Sequence, residues 1–241
     1  MFIDIVLTPL EVDSERFKGK SVAVIDVFRA TTCICTAMGN GAQRLIPLTS
    51  VEESREKYEE LKGSVEKLLL GGEREMVRIE GFELDNSPLG YTREVVEGAT
   101  IITSTTNGTR SIQLAEKGGA SSVYIASLLN AAAAAERLHG EGKDIVLFCS
   151  GRRNRFSVED TLCAGYIASL LDENHTVELS DVAWWAIDVY KRYKDNLREP
   201  MRHNSHYIRL VEMGLSDDVA AALKVDSMDI VPKVVRGEVI L

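Results

Sequence analysis

Runs of apolar, β-branched residues recur along the chain, separated by stretches in which apolar residues return every three or four positions. The runs FIDIVL, SVAVIDV, AQRLIPL, KLLLG, ATIITST, SSVYIAS and DIVLFCS predict strands. Helical spacing fills residues 30–39, 51–62, 106–117 and 130–140 between many of them. Longer helices are predicted over about 157–172, 180–194 and 202–213. This alternation predicts an α/β fold, three-layer α/β/α around a mostly parallel sheet. The strands are apolar throughout rather than alternating, so both faces of the sheet should be covered. The last stretch, IVPKVVRGEVIL, reads as a short hairpin, which makes the expected sheet a mixed one. No Pro-, Gly- or Ser-rich linker divides residues 1–241, and we expect a single domain.

Composition narrows the partners. With 241 residues, 45% of them apolar, the chain can bury one substantial core. A formal net charge of −9 argues against a nucleic-acid binder, because phosphate backbones call for a basic face. Any anionic ligand must therefore meet a local concentration of positive charge. No apolar run approaches the roughly 18 residues that span a membrane, and the N-terminal stretch lacks the layout of a signal peptide. The expected location is the cytoplasm, with no membrane partner. Cys33, Cys35, Cys149 and Cys163 lack zinc-ribbon spacing and read as reduced thiols. A homo-oligomer is compatible with the sequence.

In sheets of this kind ligands gather where strands end and helices begin, and the unusual residues fall in those junctions. In VAVIDVFRATT, Asp26 closes an apolar strand, followed by Arg29 and by Thr31 and Thr32 at a predicted helix start. A carboxylate there is expected to be paired or to bind a cation such as Mg²⁺. An Asp26–Arg29 ion pair with threonine caps is the plainer alternative. In TSTTNGTR, Thr106, Asn107 and Gly108 form a turn into a helix that carries Arg110 in its first turn. Such a turn suits a phosphate or sulfonate, and it is also an ordinary Asn-Gly turn.

A third junction, CSGRRNRFSVED, has the C-x5-R spacing of cysteine-dependent phosphatases. Cys149 would be the nucleophile, Ser150 and Gly151 part of the anion loop, and Arg155 the clamp. Arg152 and Arg153 add charge that suits a polyanionic ligand. Ser157 and Asp160 have capping-box spacing with Asp in place of Glu, while Glu159 and Asp160 together could hold a metal. The turn-rich segment around Glu73, Arg74, Asp85, Asn86 and Ser87 offers further polar candidates. His203 and His206 stand three apart on a predicted helix; acid–base work by one of them is a better fit than a zinc pair.

Taken together, IDVFRATT, IEGFELDNSP, TTNGTR, CSGRRNRFSVEDTLCAG and SHYIRLVEMGLSDDV resemble the 2-phosphosulfolactate phosphatase family, from about residue 20 to residue 232. Several motifs in one order are far more specific than any one of them. The resemblance implies Mg²⁺-dependent hydrolysis of 2-phospho-3-sulfolactate to 3-sulfolactate and phosphate, with the C-x5-R spacing a coincidence. On this reading Asp26, Glu159 and Asp160 hold Mg²⁺, while Arg29 and the turn at 105–110 take phosphoryl oxygens. Thr31, Thr32, Asn86, Ser150, Gly151, Arg152 and Arg155 also belong to substrate binding, and His206 would protonate the leaving alkoxide. Direct attack by water and attack by Asp26 are both compatible with these motifs. A thiolate phosphatase and a non-catalytic anion-binding α/β protein are the alternatives.

Overall fold

A computed structural model describes residues 1–13 and 15–241. Its strands are β1 (Phe2–Val6), β2 (Ser21–Ile25), β3 (Arg44–Leu48), β4 (Leu68–Arg74), β5 (Val77–Arg78), β6 (Thr100–Ser104), β7 (Ser122–Ala126), β8 (Ile145–Cys149), β9 (Glu178–Leu179), β10 (Lys233–Val235) and β11 (Glu238–Ile240). The helices are α1 (Ala30–Gly39), α2 (Val51–Leu61), α3 (Arg93–Val96), α4 (Gly108–Lys117), α5 (Ala131–Gly140), α6 (Val158–Asn174), α7 (Asp181–Tyr193), α8 (Ser205–Glu212) and α9 (Ser216–Ala222). Each apolar run forms a strand and each long periodic stretch a helix. The sequence pattern did not reveal α3, α9 and the two-residue strands β5 and β9, which are too short to carry a period. None of the helices, among the described residues, is long and apolar enough to cross a membrane.

The strands form one mixed, mostly parallel sheet in the order β5-β4-β6-β3-β11-β10-β7-β2-β8-β1-β9. Alternate residues of β2 show why its sequence is apolar throughout. Ala23 and Ile25 pack under α5, α6 and α7, whereas Val22 and Val24 pack under α1 and α4. With a helical layer on each face, both sets are buried. A smaller cluster joins Ile46, Leu70 and Ile102 to α2.

The hairpin β10–β11 lies inside the sheet rather than at its edge. It joins a parallel block β4-β6-β3 to a second block β7-β2-β8-β1. Three antiparallel steps separate the blocks, so they run in opposite directions. Pairing across the seam is narrow: Val239 with Leu45 on one side, Lys233 and Val234 with Tyr124 and Val123 on the other. Helix α1 bridges the seam by packing on both β7 and β3. Twist accumulates from strand to strand, and the loops leaving β2 and β6 converge. A Cβ added at Gly108 would stand 2.7 Å from Ala30 Cβ and 3.1 Å from Asp26 Oδ2, so only glycine lets these junctions meet so closely.

The seam therefore sets the geometry of the convergence. Val239 is fully buried, and a carboxylate there would be unpaired, so Val239→Asp should lose cooperative folding, a cost above about 4 kcal/mol. Val235→Asp, at a half-exposed neighbour, should melt within about 0.5 kcal/mol of the parent. Equal melting of the two variants would refute the structural role given to the hairpin.

Candidate active site

Asp26 leaves β2 into a turn that consumes its neighbouring threonines. Asp26 N donates to Thr31 Oγ1 (2.9 Å), Thr31 N to Asp26 O (3.0 Å), and Thr32 Oγ1 to Val27 O (2.8 Å). Both threonines are buried, with their hydroxyls committed to starting α1. The Asp26–Arg29 pair does not form. Arg29 turns instead to Asp218 of α9, Nη1 to Oδ2 at 2.5 Å, and Ser87 Oγ donates to Asp218 Oδ1 at 2.6 Å. Arg29 and Asp218 are each 3% exposed, so this is a desolvated pair whose cation nonetheless lines the cleft described below.

The loop after β8 is not an anion cradle. Ser150 N donates to Ile25 O, Gly151 N to Asp160 Oδ2, Arg152 N to Arg155 O, Arg153 N to Asn107 Oδ1 and Arg155 N to Arg152 O. A phosphate loop needs those donors free and pointing inward; here they close a tight turn on itself. Cys149 is fully buried in the apolar core under α6, and burial pushes its thiol well above the ordinary range. A thiolate nucleophile is therefore disfavoured at the only position the C-x5-R spacing offers.

What the loop does instead is hold carboxylates. Ser157 Oγ accepts from Asp160 N (3.3 Å) and caps α6, but the Asp160 carboxylate does not return to complete a capping box. It crosses to Val27 N (2.8 Å) and Gly151 N (3.0 Å), tying the β2 and β8 junctions together. Glu159 faces His206 of α8, Oε1 to Nδ1 at 3.1 Å, and Oε2 accepts from Asn204 Nδ2 at 2.6 Å. Asp26, Glu159 and Asp160 are all buried; the charge of Glu159 raises the proton affinity of the other two, and that of Asp26 adds to the rise at Asp160. Burial pushes the Asp26 carboxyl up to about 6, against the charge of His206 and with Glu159 and Glu73 adding to the rise. Burial, then the charges of Glu159 and Asp26, hold Asp160 well above its usual range. Burial would raise Glu159 too, but its hydrogen bond and charge contact with His206 hold it below the usual carboxylate value.

One cleft of about 640 Å³, mouth included, opens over these junctions. Asp26, Arg29, Asn86, Thr106, Asn107, Arg152 and His206 line it, as the sequence motifs suggest. A second lobe shares Arg152, Arg153 and His206 with it and adds Arg155 and Glu159. Gly108 stands against Asp26 without lining either lobe. Thr31, Thr32, Ser150, Gly151 and Asp160 lie behind the wall, bonded into its scaffold. Arg110 is exposed and donates to Asn154 Oδ1 (2.7 Å), bracing the 152–155 turn. The sequence motifs single out neither the cleft residues Glu75 and Met76 nor the supporting Asn204, and Arg209 and Asp218 lie within SHYIRLVEMGLSDDV without standing out. The spacing of Arg209, three after His206 on one helix, could have signalled it, and Asn204 has the residue type of a helix N-cap; the contacts Asn204–Glu159 and Asp218–Arg29 join residues too distant in sequence for any such signal.

The described residues contain no preassembled group of three or more His, Cys, Asp or Glu side chains arranged as a metal cage. The cleft fits a hard divalent cation in another way. Asp26 takes no hydrogen bond from another side chain among the described residues, its buried charge is uncompensated by Arg29, and Mg²⁺ needs only one or two carboxylates beside water and a phosphate ligand. Each carboxylate oxygen of Asp160 and Glu159 already takes part in one hydrogen bond.

A family profile for 2-phosphosulpholactate phosphatases matches residues 6–237. A protein of Clostridium perfringens named probable 2-phosphosulfolactate phosphatase is 45% identical over 239 residues, covering 99% of this chain and 96% of its own. Proteins with the same name from Clostridium acetobutylicum (38% identical, all of both chains) and Symbiobacterium thermophilum (41%, 95% of this chain and 97% of its own) are similar over comparable spans.

The electrostatics predict a pH-dependent stability. Asp26 keeps its proton in the folded state after the unfolded chain, with a value of 3.8, has lost it. The penalty on the folded state therefore grows as pH rises from about 4 to about 6, and is complete above that, on the order of 3 kcal/mol. Asp26→Asn should raise the melting temperature of the metal-free protein at pH 7.5 and leave it nearly unchanged at pH 4. A lower melting temperature at pH 7.5 would mean that the carboxylate is a structural partner instead.

Proposed function

The chain belongs to the 2-phosphosulfolactate phosphatase family of phosphoric monoester hydrolases, and on that premise we propose that it hydrolyses 2-phospho-3-sulfolactate in an Mg²⁺-dependent reaction, giving 3-sulfolactate and phosphate. One observation supports this beyond the family. A buried carboxylate that Arg29 does not pair (Asp26) and several guanidinium groups line the same cleft.

The substrate carries a phosphate, a sulfonate and a carboxylate, roughly four negative charges at neutral pH. Each cation about 4 Å away contributes roughly 4 kcal/mol in a partly screened site, before desolvation. Arg29, fixed by Asp218, and the turn at Thr106–Asn107 take phosphoryl oxygens beside Asp26. Arg152, whose guanidinium has no ion-pair partner among the described residues, takes the sulfonate or carboxylate together with Arg155. Asn86 closes the wall of the phosphoryl side. Asp26 is the residue that would hold Mg²⁺, with the charge of Glu159 adding to the negative field beside it. Bound there, Mg²⁺ would offset phosphate charge and lower the pKa of a coordinated water. His206 holds its Nδ1 on Glu159, which leaves Nε2 as the free nitrogen for the leaving alkoxide.

Phosphate release from 2-phosphosulfolactate tests this in one assay. EDTA should abolish turnover, Mg²⁺ should restore it, and iodoacetamide should leave it intact because Cys149 is inaccessible. Turnover that survives EDTA and is lost with iodoacetamide would establish the thiolate mechanism. Binding without phosphate release would identify a non-catalytic anion-binding protein.

A further inference from the structure

Asn204, the residue before α8, ties His206 down at both ends. Its Oδ1 accepts from the backbone N–H of His206 (2.7 Å) and of Tyr207 (3.2 Å), capping the helix. Its Nδ2 donates to Glu159 Oε2 (2.6 Å), while Glu159 Oε1 meets His206 Nδ1 (3.1 Å). The three residues close a ring in which one amide fixes the backbone of His206 and, through Glu159, its imidazole. Phe28 adds an edge-on contact to the same ring, with centroids 6.0 Å apart. An amide can serve both ends because it carries an acceptor and a donor on one planar group. Serine at this position would keep the cap and lose the grip on Glu159. Aspartate would also keep the cap, but would set a second carboxylate against Glu159, which is 2% exposed.

We propose that Asn204 is a positioning residue for the hydrolysis, holding Glu159 so that His206 Nε2 is aimed at the ester oxygen of the substrate. This assignment rests on His206 acting as the proton donor. As the P–O ester bond breaks, its electron pair goes to the alkoxide oxygen, which takes the proton from Nε2. The water oxygen that bonds to phosphorus gives up a proton to solvent, and solvent reprotonates the imidazole. A secondary alkoxide needs that proton, whereas a nitrophenolate leaves without it. Misalignment of His206 should therefore be felt by the alkyl ester and little by an aryl ester.

The test compares kcat on 2-phosphosulfolactate with kcat on 4-nitrophenyl phosphate for the parent, Asn204→Ser, Asn204→Asp and His206→Gln. The ratio of the two should fall about tenfold or more in His206→Gln and in both Asn204 variants, with the melting temperature of Asn204→Ser close to that of the parent. If His206→Gln lowers the ratio while both Asn204 variants keep the parent ratio, Asn204 is merely a helix cap and the proposal is overturned. Equal loss on both substrates, with a depressed melting temperature, also overturns it in favour of a structural role. If His206→Gln itself leaves the ratio unchanged, the donor assignment fails and the role of Asn204 falls with it. If Asn204→Ser does not fold, Asn204→Asp decides the same question.

Discussion

Three carboxylates denied water stand where β2 ends and α6 begins, and much of the local structure is an answer to their charge. Asp160 is satisfied by two backbone N–H groups, and in satisfying it the loops after β2 and β8 are joined. Glu159 is satisfied by Asn204 and His206, which docks α8 over the site. Asp26 receives no comparable help from a side chain, and its proton affinity is correspondingly high. Burying like charges together is unfavourable unless something neutralises them. Here two of the three serve as scaffold, and the third is left facing a cleft in which a cation would be welcome.

The fold makes this arrangement possible by an unusual route. Two parallel blocks of strands are stitched by a C-terminal hairpin, and α1 spans the seam. The junction after β2 supplies Asp26 and Arg29, and the end of β4 with its turn adds Glu73 and Glu75. The junctions after β6 and β8 supply hydroxyl, amide and guanidinium groups. Gly108 at the start of α4 lets these sides approach. Arg29 shows the same division of labour in reverse: its charge is held by Asp218, whose other oxygen accepts from Ser87, so that it does not collapse onto Asp26.

The strands and long helices were legible because burial on both faces demands continuous apolar runs, and amphipathic helices demand a period. The place of the hairpin was not, since pairing of Val239 with Leu45 joins segments that share no local signal. Among the site residues, Asp26, Arg152 and His206 stood out as polar groups at strand and helix ends, and they line the cleft. Thr31, Thr32, Ser150 and Gly151 looked equally suited to a ligand, yet their hydroxyls or N–H groups serve the turns themselves. Short polar side chains and loop amides bond to nearby backbone as readily as to a ligand, and sequence does not say which. Asn204 and Asp218 act through partners 45 and 189 residues away, a relation that only the folded chain displays. The C-x5-R spacing misleads for the same reason, because it specifies residue types but not whether their donors are free.

The central claim is that the protonation of buried Asp26 is linked to a divalent cation. Titration calorimetry of Mg²⁺ binding at pH 6, repeated in buffers of different ionisation enthalpy, measures the protons released per cation bound. With the Asp26 carboxyl near 6, the account predicts release of about half a proton at pH 6, falling toward zero at pH 8, and neither binding nor release in Asp26→Asn. Mg²⁺ binding that releases no proton at pH 6, or that survives Asp26→Asn unchanged, would contradict it.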